Sequence, residues 1–465
     1  LIGGGVALFL VALGRSRYFP EAPLLLPRLG WTSWRRPWLL AAAGLLAGGV
    51  ALGVLAGRQF YETEPLAGQA WLLYLASVGL AVGAALLFDA GLVRAYGRTP
   101  PHSFDPAPRL PRRAVLFWLL LILAVAALFR LYLFDSLPLG VWYDEAEHGI
   151  QALRILQSAE FRPIFEGAIN GPAHYLYLVA GAFELFGVSV QSIRAVNVLF
   201  GLLMVLAGYL VGRELFGDVI GLVVAGLFAV SSWAVTFSRF GMFASNTTPL
   251  FALLTIGFLL RAWRRESMAD FAWAGLAGGL GLCFYTSFRL FVPVVAVFAL
   301  YTLFWARWRQ GRWPSARFWY GALIGAAVAL LVVAPLLVFA YKQPDIFWAR
   351  IENTSLFAGR TLSEAWPLLV ENIRKHFLMF NWHGDPNGRH NLPGAPMLDS
   401  ITAALFVAGV AYSLRRILEP RYLLLLVWVL ISLLGGILSL DFEAPQALRA
   451  NGAMAPVYLL AVIPL

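Results

Sequence analysis

Cysteine is nearly absent: Cys283 is the only one in 465 residues. That excludes an intrachain disulfide and any cysteine-based metal site. Charge is sparse as well. Only 13% of the residues are Asp, Glu, Lys or Arg, and Lys occurs only at 342 and 375. No β-period, low-complexity tract or inverted repeat competes for the pattern, and many transporters show such repeats. What is present is mostly apolar: 60% of the residues are hydrophobic and the mean hydropathy is +0.74. This is the composition of an all-α polytopic membrane protein, not of a soluble domain. The chain begins on Leu1 and stops inside apolar runs at both ends, as expected of a segment of a longer protein.

The net charge is +10. A basic total can mean a nucleic-acid partner, but here the Arg residues fall in short loops between apolar runs. That is orientation information under the positive-inside rule, and no nucleic-acid partner is expected. Leu1–Leu13, Trp38–Gly57, Trp71–Val93 and Ala114–Phe134 read as spans, with Arg-rich cytoplasmic loops at 14–37 and 94–113. Residues 1–113 thus form an N-terminal set of helices and 114–465 a core. Pro172–Phe186 is apolar but only about 15 residues long, short of the roughly 20 that cross a bilayer. If it crossed, Arg261, Arg264, Arg265, Arg307, Arg309, Arg312 and Arg317 would all lie outside. The parity therefore keeps 135–191 external, with two surface helices. Further spans follow at Ile193–Val211, Val219–Phe237, Thr247–Leu260, Phe271–Tyr285, Leu290–Phe304, Phe318–Ala340, Met397–Leu414 and Tyr422–Leu440. A return begins at Gly452, and 341–396 is a long outer loop.

The acidic stretch Trp142–Leu156 follows the fourth of these runs, Ala114–Phe134. Asp144 reads as an N-cap with Glu147 completing a capping box. Ile150, Leu153 and Leu156 share the apolar face of a surface helix. Asp144 is thus either a cap or a carboxylate held at the membrane surface as a general base. The same outer face collects Glu145, His148, Ser238, Arg239, Asn246, the run Tyr285–Arg289, and, from the long loop, His376, His383, Asp385, Arg389, His390 and Asn391. Arg449 completes it. Arg239, Arg289 and Arg449 either snorkel to headgroups or bind a lipid phosphate through their planar donor forks. His383, Asp385 and His390 are metal-ligand types without a recognisable ligand spacing, and Gly384, Pro386, Gly388 and Pro393 mark turns. A divalent metal is possible there but unsupported. His174 reads as structural.

The order of these elements resembles the GT-C superfamily of integral-membrane glycosyltransferases. The pattern is a span, an external Asp-Glu pair opening a surface helix, a second external helix, then Ser238-Arg239…Asn246. Within the superfamily it is most similar to bacterial relatives of protein O-mannosyltransferases and of the lipid A aminoarabinose transferase, over Ala114–Leu465. The resemblance implies a polyprenyl-phosphate-linked sugar as donor substrate and inversion at the anomeric carbon. It implies Asp144 as base with Glu145 its secondary neighbour, and His148, Asn246, Asp385, Arg389 and His390 around the substrate. Where relatives carry a second acid, this chain has Asn246. Where some carry a basic residue before the second surface helix, it has Gly171-Pro172. Phosphate binding then falls to Arg289, Arg449 and Arg239. The partners expected are membrane lipids, the lipid-linked donor and an external protein, lipid or glycan acceptor. The expected location is a bacterial cytoplasmic membrane with the site facing outward. A lipid or glycan flippase and a non-catalytic subunit on the same scaffold are the rival readings.

Overall fold

The computed structural model describes residues 37–62, 68–96, 110–241, 246–311 and 313–465. The expected span Leu1–Leu13 and most of the two N-terminal basic loops lie outside the described residues. Two N-terminal helices, α1 (Pro37–Glu62) and α2 (Gly68–Tyr96), pack as an antiparallel pair against the core. The core opens with α3 (Arg112–Leu131), the surface helix α4 (Tyr143–Gln157), a two-residue hairpin pairing Phe165–Glu166 with Gly171–Pro172, and α5 (His174–Phe186). Then come α6 (Val190–Phe216), α7 (Asp218–Val230), α8 (Ser232–Arg239), α9 (Thr247–Arg265), α10 (Met268–Phe284) and a 3-10 turn, Thr286–Leu290. After it run α11 (Phe291–Gln310), α12 (Ala316–Lys342), α13 (Pro344–Thr354), α14 (Leu362–Leu378), α15 (Ser400–Arg415), α16 (Pro420–Ile437) and α17 (Met454–Ala461). Among the described residues seven helices are long and apolar enough to cross a membrane, or eight if α7 and α8 count as one bent span.

Small residues let the helices approach closely. A Cβ on Gly275 of α10 would fall onto the Gly325 carbonyl of α12. Such backbone contact is how helices pack where lipid supplies no hydrophobic contrast. The lipid-facing positions show the complement: Leu116, Phe117, Leu120, Leu121 and Leu128 of α3 are exposed.

The bundle has two polar ends. At one, Leu110 N donates to Asp218 (3.0 Å), and Arg264 pairs with Glu214 (3.0 Å), Arg261 with Asp270 (2.9 Å) and Arg317 with Asp89 (3.2 Å). At the other, Arg239 of α8 binds carbonyls at the C-terminus of α3, and Arg194 at the start of α6 binds Glu145 of α4. The chain therefore leaves α3 and enters α6 at the same end. Helix α5 has 13 residues, about 20 Å at 1.5 Å per residue, short of the roughly 30 Å of a bilayer core.

Three expectations differ from the structure. Val219–Phe237 is not one helix: it breaks at Ser231 with a 55° bend. Ser231 is extended and its hydroxyl accepts the Ala234 N–H, starting α8 afresh. The break frees carbonyls, and Arg130 of α3 donates to those of Phe228 (2.9 Å) and Ala229 (3.0 Å). A buried cation here closes a gap that hydrocarbon could not. Second, the span expected to begin at Leu290 is entered through the 3-10 turn. Third, the outer loop 341–396 contains two helices. Pro344 occupies the first turn of α13, and Glu364 reaches back to the Thr361 N–H (2.8 Å) to start α14.

Candidate functional site

The N-cap of α4 is Trp142, not Asp144, and no side chain caps it. The residue reaching back is Glu145, whose Oε2 accepts the Trp142 N–H (3.1 Å), so the Asp144–Glu147 capping box is off by two positions. Tertiary contacts set this register. Glu145 turns inward to meet Arg194, with Nε to Oε1 and Nη2 to Oε2 both at 3.0 Å. Its Oε1 also accepts the Gly241 N–H at 2.6 Å. Four donors thus surround a carboxylate with about four lone-pair sites. Arg194 spends its other donors on the Pro138 (3.0 Å) and Gly140 (2.7 Å) carbonyls. Both side chains are buried, at 0% and 4% exposure. Glu145 joins α4, α6 and the segment after α8. Its surroundings are those of a positioning residue.

Asp144 has the opposite environment. It is freed from capping, its carboxylate is 31% exposed, and Oδ2 accepts from Arg389 Nη1 at 2.7 Å. Arg389 comes from the long outer loop, 245 residues away in sequence. Its guanidinium also lies over the Trp142 ring, 4.8 Å from the centroid. Asn387 Oδ1 fixes its backbone by accepting the Arg389 N–H (3.1 Å). The loop in turn is organised by buried Asp385, which accepts from Asn387 N (2.7 Å), His390 Nδ1 (2.8 Å) and Ala447 N (2.7 Å). So Asp385 and His390, read from the sequence as substrate or metal contacts, act here as loop scaffold. They link the loop carrying Arg389 to the loop carrying Arg449. His383 is exposed, its ring beside Gly394, and it takes none of the Asp385 carboxylate bonds.

An open cavity of about 230 Å³ lies between those two loops, lined by Asp385, Pro386, Asn387, Phe442, Glu443 and Gln446. On its far side Arg449 pairs with Glu443 (2.7 Å), and its backbone N–H donates to Gln446 Oε1 (2.6 Å). Arg449 also lines a narrow crevice with Thr248, Ser287 and Ser432. Arg289, two residues beyond Ser287, stacks on Phe347, its Cζ 3.9 Å from the ring centroid. Among the described residues, Nη1 and Nη2 of Arg289 and Nη1 of Arg449 are buried with no hydrogen-bond partner. Buried donors left this way cost stability unless something accepts from them. Arg239 is different. Its donors go to the carbonyls of Phe129 (2.8 Å), Tyr132 (2.7 Å), Leu133 (3.3 Å) and Leu137 (2.9 Å). That guanidinium finishes α3 and has little left for a phosphate.

The remaining residues sort by burial. His148 is bonded through Nδ1 to the Asp144 carbonyl and packs on Tyr175; burial pushes its imidazole down to about 4, so it is neutral near pH 7. Asn246 is fully buried and donates to Ser238 Oγ at 3.0 Å, on the bundle side of the site. His174 sits against Trp71 and Phe284. Among the described residues no group of three or more His, Cys, Asp or Glu is placed to hold a metal ion. Arg194 escaped the sequence reading. Its signal was a lone cation one residue inside an apolar run, downstream of an acidic pair.

An all-helical membrane bundle with an acid-bearing surface helix at one end defines a class of architecture: the chain has the fold of the GT-C integral-membrane glycosyltransferases. A family profile described as Dolichyl-phosphate-mannose-protein mannosyltransferase matches residues 170–339. The chain is 26% identical over 373 residues to the undecaprenyl phosphate-alpha-4-amino-4-deoxy-L-arabinose arabinosyl transferase of Pseudomonas paraeruginosa, covering 72% of this chain and 62% of that one. A second arabinosyl transferase of that name, from Pseudomonas fluorescens, is 28% identical over 271 residues, 55% of this chain and 43% of that one. The chain therefore spans less than two thirds of the length of these curated relatives. Among solved structures, ArnT from Cupriavidus metallidurans in the apo state superposes with a TM-score of 0.53 at 17% identity, over 75% of this chain and 60% of that one. The Archaeoglobus fulgidus oligosaccharyltransferase tethered to an acceptor peptide does so with 0.51 at 15%, over 76% and 49%.

Proposed function

We propose that the protein is a glycosyltransferase that moves a sugar from a polyprenyl-phosphate carrier to an acceptor at the membrane face where Asp144 opens. The observation that carries this reading is the contrast at the start of α4. Glu145 is enclosed by four donors, whereas Asp144 is partly exposed and held through one oxygen by Arg389. Asp144 takes the acceptor hydroxyl proton. The acceptor oxygen bonds to the anomeric carbon from the side opposite the phosphate, inverting it. The bond from that carbon to the phosphate oxygen breaks, and its electron pair leaves on the polyprenyl phosphate. The lipid-linked donor class follows the names of the curated relatives, and the structural neighbour ArnT from Cupriavidus metallidurans was solved bound to undecaprenyl phosphate.

The departing phosphate needs cations. Arg289 and Arg449 carry buried donors without protein acceptors, and the crevice beside Arg449 is lined by three hydroxyls. Losing a hydrogen bond to a charged group costs about 1.5–3 kcal/mol. Arg289→Ala and Arg449→Ala should therefore each weaken donor use roughly ten- to a hundred-fold, at about 1.4 kcal/mol per decade. Steady-state transfer against donor concentration measures this. An unchanged dependence in both variants would remove them from the donor site.

The site end faces outward in this reading. The opposite end carries Arg213, Arg261, Arg264, Arg265, Arg307, Arg309 and Arg317, the Arg-rich side of the positive-inside rule. Val188 is exposed in the short link between α5 and α6. A Val188→Cys protein in a Cys283→Ser background should react with an impermeant maleimide in intact cells. Reaction only after permeabilisation would reverse the orientation.

A further inference from the structure

Helix α14 presents three faces. Ala365, Asn372 and His376 are buried against the protein. Glu364, Glu371 and Lys375 lie on a second, charged side. The third face is apolar yet uncovered: Leu362 (71% exposed), Trp366 (60%), Val370, Ile373 and Phe377 line it at helical spacing. A water-facing helix does not carry so long an apolar stripe. The protein face also fixes the depth at which that stripe lies. Asn372 Nδ2 donates to the Ile437 and Ser439 carbonyls, both at 3.0 Å, where the spanning helix α16 ends. Leu356 N donates to the Leu438 carbonyl (2.9 Å) and Arg360 pairs with Asp441 (2.9 Å), so the preceding segment is held along the same rim. The stripe is thus level with the end of a membrane span.

We propose that α14 is seated in the membrane interface with this stripe in lipid, and that the lipid surface thereby holds the site loops in place. The occupant continuous with the lipid-spanning α16 at this level is the bilayer. Apolar and aromatic residues on one face with Glu, Arg and Lys on another suit a helix lying in that plane. The coupling runs through the protein face. His376 Nε2 accepts the Gln446 N–H (3.2 Å), and Gln446 accepts from Arg449 N. The C-terminus of α14 leads directly into the loop of Asp385 and Arg389. A helix displaced from lipid would release both loops that border the cavity. Calling that cavity the site rests on the proposed function; the seating and the coupling do not.

The test uses the full chain with Cys283→Ser, reconstituted in phosphatidylethanolamine–phosphatidylglycerol vesicles. Nitroxide labels on Trp366→Cys and Ile373→Cys should collide several-fold more with oxygen than with a water-soluble nickel chelate. Labels on Glu364→Cys and Glu371→Cys should show the reverse. Equal access of the chelate to all four positions overturns the seating. For the coupling, a label on Phe442→Cys reports the cavity loop. Its mobility should rise in Trp366→Glu/Ile373→Glu protein and stay low in Trp366→Phe/Ile373→Leu protein. Mobility unchanged by the Glu pair overturns the coupling. Neither readout needs sugar transfer, so loss of the glycosyltransferase reading would leave both results interpretable.

Discussion

Asp144→Asn protein is expected to fold, insert and bind donor, and to transfer sugar about 10²–10⁴-fold more slowly, the usual loss on removing a general base. The expectation rests on what Asp144 does not do. It caps no helix, so Asn is not replacing a structural carboxylate there. Its one strong contact is the 2.7 Å pair with Arg389. That pair raises a second explanation for any loss: Asn would also release the long loop. Arg389→Gln separates the two, because it breaks the pair and keeps the carboxylate. If Asp144 is the base, Arg389→Gln should lose far less than Asp144→Asn. Equal losses in the two variants would make Asp144 an anchor for the loop. Near-normal transfer by Asp144→Asn would leave the reaction without its proposed base.

Glu145→Ala should fail differently, by unfolding. Removing one partner of a buried ion pair leaves the other charge without compensation, at about 3–5 kcal/mol. Here Arg194 would keep only the Pro138 and Gly140 carbonyls, and the Gly241 and Trp142 N–H groups would lose their acceptor. Thermal unfolding in detergent should show Glu145→Ala and Arg194→Ala as similarly destabilised. Glu145→Leu/Arg194→Met should recover a good part of the loss, because two apolar side chains leave no orphaned charge. A stable Glu145→Ala protein with lost transfer would overturn the positioning role and return Glu145 to the chemistry.

The class of this protein is written locally. Apolar runs of bilayer length, Arg clusters in the links between them and a 13-residue helix too short to span are properties of contiguous sequence. Lipid rewards them wherever they occur, so they survive translation into structure. The position of the acidic pair after the run Ala114–Phe134 was legible for the same reason. Which acid of the pair turned inward was not. That depended on Arg194, 49 residues on, and on the Gly241 amide, 96 residues on, whose desolvated donors could be satisfied only by a carboxylate at position 145. The partner of Asp144 lies 245 residues away, in a segment that reads as a turn-rich loop. The bend at Ser231 also waited on the fold, because the carbonyls it frees are tolerable only once Arg130 from another helix reaches them. Hydropathy is a sum over neighbours in the chain. The accounting of buried charges and orphaned backbone groups is made between distant segments, and only the folded bundle decides it.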